Sequence, residues 1–167
     1  MPVNPTTPPL RPADLARVDG RLYLREEELD RAAELVFRAA RAFWRAAEGP
    51  LAELALGPAH YRALAAIRRE EGLPVKALQT RLGVRKQSLQ RVLNELETAG
   101  LLARAPGQRD RRERLLTLTD LGRDAERAAS AALRERLGQV FRAAGADAVA
   151  GARTVLAALA EVGEDPP

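Results

Sequence analysis

The segment Arg85-Lys86-Gln87-Ser88-Leu89-Gln90-Arg91-Val92-Leu93-Asn94-Glu95-Leu96 decides how this chain folds. At about 100° per residue in a helix, its apolar side chains fall on one stripe, formed by Leu89, Val92, Leu93 and Leu96. The opposite stripe is polar and is formed by Gln87, Arg91, Asn94 and Thr98. Because Arg and Gln carry planar hydrogen-bond donors and no carboxylate lies near the start, this polar face suits base edges and phosphates.

The residues on either side predict a winged helix. A shorter helical run, Val75–Leu82, precedes the segment and is closed by Gly83, which can take the positive φ of a helix C-cap. A helix, a glycine turn and a second helix with a polar exposed face together form a helix-turn-helix. After Gly100, the pattern predicts a strand over residues 101–105, a Pro-Gly turn over 106–112 and a second strand over 114–118.

The composition limits the class of protein. The 167 residues are 46% hydrophobic but only 4% aromatic, which favours one domain of closely packed helices. There is no cysteine and one histidine, which excludes disulfides, thiol chemistry and a multi-histidine metal site. Without an apolar run of about 18 residues or a signal-peptide core, we expect a cytoplasmic protein that makes no membrane contact.

The basic residues are concentrated in the predicted winged helix. Eight Lys or Arg and four Asp or Glu lie between Arg85 and Arg114, so this window accounts for the whole net charge of +4. Such a cluster indicates a polyanionic partner. The alternative is a solvated arginine-rich surface, since arginine is abundant throughout the chain.

The whole chain is predicted to be mainly α-helical with a small β-wing. Residues 1–24 form a proline-rich arm, 25–163 a single domain and 164–167 a tail, with the DNA-binding winged helix-turn-helix at 58–118. Further helices are expected over residues 26–48, 58–70, 120–144 and 148–162, with a short helical turn at 51–56. Thr119 and Asp147 are the expected N-caps, and Gly122 is expected to weaken its helix slightly. The expected inward positions are Tyr61, Leu64, Ala65 and Ile67, and then Leu121, Ala125, Ala128, Ala132, Leu133, Leu137, Val140 and Phe141.

The terminal helices, at 25–57 and 119–163, carry apolar faces that one subunit does not cover. Burying them against a second copy predicts a homodimer, and a two-fold axis would place two recognition helices about 34 Å apart, one turn of DNA. The alternative is a monomeric helical bundle.

Several motifs resemble the MarR (multiple-antibiotic-resistance regulator) family of bacterial transcription factors. The resemblance extends from about Leu24 to Val162, and its most specific part is Asp110-x-Arg112 followed by Leu118-Thr119-x-x-Gly122. The other matching motifs are Leu78-x-x-x-Leu82-Gly83, Ser88-x-x-Arg91-x-x-x-x-Leu96 and Gly100-Leu101-x-x-Arg104. Within the family, Lys86 to Leu93 and Asp110 to Leu116 are similar to the PetP-type branch.

The resemblance implies a triangular homodimer that binds a palindromic operator, usually as a repressor and often with a small-molecule inducer. It implies that Gln87, Ser88 and Arg91 enter the major groove, and that Arg112, braced by Asp110, enters the minor groove. Phosphate contacts would come from Lys86, Arg109, Arg111 and Arg114. The alternatives are that Arg91 is merely solvated, that Arg109 and Arg114 are electrostatic background, and that Asp110 and Arg112 only stiffen the hairpin.

The resemblance also implies an effector site where the first helix, the Pro58 helix and the dimerisation helices meet. The residues expected there are Arg41, Phe43, Trp44, Arg45, His60 and Tyr61. Aromatic walls and guanidinium groups suit a small aromatic or anionic effector, and an imidazole can change charge near neutral pH. The alternative is that the aromatic residues are core or interface and that His60 is a packed, hydrogen-bonded residue.

Two other classes of function have weaker support in the sequence. No phosphate loop, metal-ligand cluster, triad or carboxylate pair supports an enzyme, and no cofactor is indicated. A winged helix used for protein–protein contact is the stronger alternative, because the fold alone does not fix function. The arginine-rich wing and the carboxylate-free helix start favour double-stranded DNA.

The wing and the recognition helix predict different responses to substitution. Arg112→Ala should weaken operator binding by about 1–3 kcal/mol, whereas Lys86→Ala should mainly flatten its salt dependence, because a phosphate contact releases counterions. Mobility-shift titrations at two salt concentrations measure both effects. Unchanged affinity of the Arg112→Ala variant would remove the wing from the interface.

Overall fold

The computed structural model describes residues 25–107 and 113–161, which are mainly α-helical. The elements in chain order are α1 (Glu26–Ala52), α2 (Pro58–Arg69), β1 (Leu73–Pro74), α3 (Val75–Leu82), α4 (Lys86–Thr98), β2 (Leu102–Pro106), β3 (Arg114–Leu118), α5 (Asp120–Ala144) and α6 (Ala146–Glu161). They fall in two compact units, the first ending at Arg38 and the second beginning at Ala39.

In the first unit, the structure describes the opening turns of α1. Glu26, Glu27 and Glu28 lie in the first turn, where carboxylates complement the positive end of the helix dipole. Four large apolar side chains of this segment are exposed, namely Leu29, Leu35, Val36 and Phe37.

The second unit has its main core between α2, α3, α4 and a three-stranded antiparallel sheet of order β1-β3-β2. The register pairs Leu73 with Leu116 and Leu102 with Leu118, so alternate residues of the strands enter the core. The largest core side chains with essentially no exposure include Leu64, Ile67, Leu73, Leu78, Leu93, Leu96, Leu101 and Leu116. The predicted winged-helix body is confirmed.

The turn between α3 and α4 depends on Gly83. Its φ of +61° lies in the left-handed region, and its N–H donates to the carbonyls of Gln79 and Thr80. The chain then starts α4 in a new direction, with Leu89, Leu93 and Leu96 buried and Gln87, Arg91, Asn94 and Thr98 exposed, as predicted.

A second, smaller core joins α1 to α5. Ala47, Leu51, Ala129 and Leu133 are buried there, with Phe43, Trp44 and Tyr61 packed against them. Thr119 caps α5, as predicted, because its Oγ1 accepts a hydrogen bond from the Gly122 N–H at 3.0 Å. The same hydroxyl donates to the Gly100 carbonyl at 2.7 Å.

Several helix predictions were wrong in detail. Helix α1 does not end at Glu48 but continues to Ala52, so the separate turn predicted at 51–56 begins inside it. Pro50 is tolerated because it lies in the last turn, where its missing N–H removes one hydrogen bond and Leu51 is buried in the smaller core. Helix α6 begins at Ala146, so Asp147 lies in its first turn rather than before it.

The predicted buried stripe of α5 was also partly wrong. Leu121, Ala128, Leu137 and Val140 are exposed, whereas Ala129 and Ser130 are buried. The sequence carries more apolar positions on α5 than one face holds, and the helix turns its small residues towards α2 and α1.

The described residues carry no helix long and apolar enough to cross a membrane. In the same part of the chain, no three His, Cys, Asp or Glu side chains are grouped as ligands for a metal ion.

Gly122 has a packing role that its position in a helix does not reveal. A Cβ atom at this residue would lie 2.0 Å from the carbonyl oxygen of Leu101, which already accepts the Thr119 N–H. We therefore expect Gly122→Ala to lower the free energy of unfolding by about 1–3 kcal/mol, as overpacking does. Urea denaturation at fixed protein concentration measures the change.

Gly151→Ala is the matched control. Gly151 lies within α6 with no atom within 4 Å of the added Cβ, so alanine should stabilise that helix by up to about 1 kcal/mol. Equal effects of the two substitutions would contradict the close contact with Leu101.

Candidate nucleic-acid interface

The start of α4 exposes hydrogen-bond donors and no carboxylate. Arg85 precedes the helix in an extended conformation and makes no side-chain cap, so the first backbone N–H groups have no capping side chain. Lys86, Gln87 and Ser88 are all exposed around them. The positive end of the helix dipole, the uncapped backbone N–H groups and the lysine together favour the binding of a phosphate at this position.

One turn further along, Arg91 projects from the helix with a side chain that is 81% exposed. Its Nε donates to Oε1 of Glu95 at 2.8 Å. The hydrogen bond to Arg91 is the main cause that lowers the pKa of Glu95, with a second contribution from His60. The same bond raises the pKa of Arg91.

Glu95 is also tied to α2. Its Oε2 lies 2.7 Å from Nε2 of His60, whose other ring nitrogen, Nδ1, accepts the Gly57 N–H at 3.0 Å. Because a backbone N–H only donates, Nδ1 carries no proton, and the neutral ring donates from Nε2 to Glu95. His60 therefore joins the beginning of α2 to the recognition helix.

A second connection joins α4 to the sheet. Arg104 on β2 donates to Asn94 Oδ1 at 2.8 Å and forms an ion pair with Glu97 at 2.8 Å. Its side chain is only 19% exposed, so this guanidinium braces the wing against α4. The charge of Arg104 is consequently balanced within the protein.

The wing is described up to its tip. β2 and β3 pair from Leu102–Leu118 to Pro106–Arg114, and the Gly107 N–H donates to the Glu113 carbonyl at 3.0 Å. Arg114 is exposed at the beginning of β3. Arg109, Asp110, Arg111 and Arg112 lie outside the described residues, and their contacts remain predictions.

The residues predicted for an effector site are only partly brought together. Trp44 contacts Phe43 at a ring-centroid distance of 6.1 Å and Tyr61 at 5.4 Å. Arg41 and Arg45 are exposed on α1. His60 has both ring nitrogens bonded to protein groups, so a ligand contact there would have to replace one of those bonds.

Tyr61 also borders an open cleft of about 410 Å³ between α2 and α5. Ala65 and Ser130 line this cleft together with four arginines and one glutamate. The charged lining residues are Arg68, Arg69, Arg127, Arg134 and Glu126. The Tyr61 and Ser130 hydroxyls lie 2.8 Å apart. Within the described part of the chain, Arg127 pairs with Asp124, whereas Arg68, Arg69 and Arg134 form no ion pair.

Comparison with known proteins identifies the family. The model of the MarR family matches residues 56–113. The HTH-type transcriptional regulator PetP of Rhodobacter capsulatus is 46% identical over 138 residues, which cover 83% of each chain. The chain belongs to the MarR family. It is thus a winged helix-turn-helix transcriptional regulator, and the predicted family and fold are confirmed.

Solved MarR-family structures have the same architecture. PcaV of Streptomyces coelicolor, in complex with its natural ligand, is 26% identical with a TM-score of 0.62, covering 77% of this chain and 91% of PcaV. A mutant Escherichia coli MarR complexed with operator DNA is 24% identical with a TM-score of 0.67, covering 79% of this chain and 95% of that one. The latter likeness concerns the fold alone.

The sequence predicted Arg91 and His60 as site residues but not the contacts with Glu95 that hold this MarR-family interface in place. Arg91 and Glu95 are four residues apart in a helix, a spacing that could have indicated their pairing. The contact between His60 and Glu95 spans 35 residues and gives no local signal. The arginines of the cleft belong to two helices and were likewise not anticipated.

The lowered pKa of Glu95 predicts a pH-dependent contribution to stability. A carboxyl group with a lowered folded-state pKa stabilises the fold above its unfolded-state pKa, about 4.3 for glutamate, and loses this contribution as pH falls through the folded value. The difference in unfolding midpoint between the native chain and Glu95→Gln should therefore be largest near neutral pH and shrink in acid. Urea denaturation from pH 7 to pH 3 measures it, and a difference that grows towards low pH would contradict the pairing.

Proposed function

We propose that this MarR-family regulator binds a palindromic operator in double-stranded DNA as a homodimer and represses transcription until a small anionic effector releases it. The observation that carries the proposal is the exposed, carboxylate-free start of α4, with Lys86, Gln87 and Ser88 around unoccupied N–H groups. A surface that only contacted proteins would not need donors and positive charge in this concentration.

In the proposed complex, Gln87, Ser88 and Arg91 read base edges in the major groove. Lys86 contacts a phosphate at the helix start, and Arg114 contacts one near the tip of the wing, where it pairs with Pro106. Arg112, braced by Asp110, enters the adjacent minor groove, while Arg109 and Arg111 bind phosphates beside it. The Escherichia coli neighbour, which shares this fold, is complexed with operator DNA.

The proposed second partner is another copy of the same chain. Exposed large apolar side chains on α5 and α6 include Val140, Val155, Leu156 and Leu159. In the first unit, Leu35, Val36 and Phe37 are exposed as well. Terminal helices of this kind are the dimerisation region that the family resemblance implies, and a two-fold axis matches a palindrome.

We place the proposed effector site at Tyr61. Its ring packs against Trp44, and the arginine-lined cleft begins at the same side chain. Arg68, Arg69 and Arg134 are exposed and form no ion pair within the described residues, so their guanidinium donors are available to an anionic ligand. The natural ligand bound to the neighbour PcaV supports a regulatory small molecule.

Selection of DNA fragments from a random duplex library tests the DNA-binding part. We expect enrichment of an inverted repeat whose half-site centres are about one helical turn apart. The free protein should have a mass of twice 18.2 kDa by light scattering. In vitro transcription from a promoter that contains the repeat should fall when the protein is added.

Two other outcomes of these experiments would contradict the proposed function. A monomer, or a dimer that enriches no sequence and shows no salt-dependent binding to random duplex, would favour a protein–protein interaction module instead. An increase in transcript from the same promoter would make the protein an activator.

Fluorescence of Trp44, the only tryptophan, tests the effector site. Titration with aromatic carboxylates and with phosphorylated compounds should change the emission and release operator DNA. Arg134→Ala should weaken this response at least about tenfold if the cleft binds the anion, as loss of one charge-assisted hydrogen bond does. Arg45→Ala is the control on α1, and the opposite ranking would place the ligand at the α1 arginines.

A further inference from the structure

A chain of three hydrogen bonds runs from the backbone at the start of α2 to the exposed face of α4. The Gly57 N–H donates to His60 Nδ1 at 3.0 Å, and His60 Nε2 donates to Glu95 Oε2 at 2.7 Å. Arg91 Nε then donates to the other carboxylate oxygen, Glu95 Oε1, at 2.8 Å. Each group in this series of hydrogen bonds is therefore oriented by the group that precedes it.

The fixed end of this chain is well enclosed. The His60 side chain is only 14% exposed, and the Gly57 N–H can bond only to the unprotonated form of Nδ1. The tautomer of the ring, and with it the direction of the Nε2–H bond, follows from the backbone. Glu95, at 41% exposure, is thereby anchored by a second structural element.

The exposed end of this series of hydrogen bonds is the guanidinium of Arg91. Only its Nε is bonded in the described part of the protein, so Nη1 and Nη2 remain available along one edge. Two parallel N–H donors on one edge match the O6 and N7 acceptors that guanine presents in the major groove. An unanchored arginine would instead sample many rotamers and bind whichever phosphate is nearest.

We propose that Glu95 is a specificity-determining positioning residue, which holds Arg91 by Nε so that its outer edge reads one guanine in each half-site, and that His60 fixes Glu95 for this task. The proposal rests on the proposed DNA-binding function. It gives Glu95 two effects, since the carboxylate orients Arg91 and also repels phosphates that approach the helix in a wrong register.

An ordinary surface ion pair between residues four apart contributes little and would leave base preference unchanged. The bond from His60 distinguishes this pair, because it connects the carboxylate to α2 rather than leaving it to rotate with the helix surface. Base preference, rather than affinity or stability, is therefore the readout that separates the two roles.

The test uses the full-length protein and the operator selected by it. Affinities are measured for that operator and for every single-base-pair change in one half-site, with random duplex as the reference. The native chain should prefer guanine at one position by roughly 5- to 150-fold, the range of a good bidentate contact. Arg91→Lys, which keeps the charge but not the paired donors, should abolish this preference.

Glu95→Gln should reduce the same preference at least fivefold while binding to random duplex stays equal or becomes tighter. His60→Phe should also reduce the guanine preference. In the double variant, Glu95→Gln should cause little further loss of this preference beyond that caused by Arg91→Lys, as expected for residues that act as one unit. Thermal unfolding of each variant, measured in parallel, identifies any loss due to folding. Glu70→Gln is the matched control, because it breaks an ion pair with Arg81 elsewhere in the winged helix and should leave the guanine preference intact.

The outcomes separate this proposal from the one on which it rests. If the operator is selected but Glu95→Gln and His60→Phe keep the guanine preference, Glu95 has no positioning role and the DNA-binding function stands. If no position depends on Arg91, the proposal also fails. If no operator is enriched at all, the proposed function itself fails.

Discussion

The structure depends on holding one amphipathic helix, α4, so that its polar face stays outside. Leu89, Leu93 and Leu96 anchor the helix in the main core, and burial of such side chains contributes roughly 1.5–3 kcal/mol each. That apolar contact fixes the position of the helix axis, but it leaves the exposed side chains free to choose among rotamers. The polar connections at its two sides supply the remaining constraint.

Those connections come from different parts of the fold. On one side, His60 of α2 bonds Glu95; on the other, Arg104 of β2 bonds Asn94 and Glu97. Both anchors are largely enclosed, whereas the surface they support is solvated. Partly enclosed polar bonds hold direction better than exposed ones, because water competes less for their donors and acceptors. The recognition surface is thus supported from the α2 side and from the wing.

The same α2 helix links this surface to the region where we place an effector. His60 points to Glu95, and the next residue, Tyr61, contacts Trp44 and Ser130. Neighbouring residues of one helix therefore face the recognition helix and the arginine-lined cleft. A ligand that preferred a different position of α2 would change both sites at once, which is the condition for coupling between them.

The sequence by itself determined the winged helix, since glycines 83 and 100, the leucine stripe and the alternating strand residues are local signals with local causes. It also determined which face of α4 is polar and that Thr119 caps α5. Only the tertiary structure decided that α1 continues through Pro50 to Ala52. It also decided that α5 buries Ala129 and Ser130 instead of Ala128, and that Gly122 lies against the Leu101 carbonyl. It alone paired His60 with Glu95 and gathered four arginines at one cleft. Periodicity reports which residues share a face of a helix, but contact across 35 or more residues depends on how the helices pack, and no short stretch of sequence contains that information.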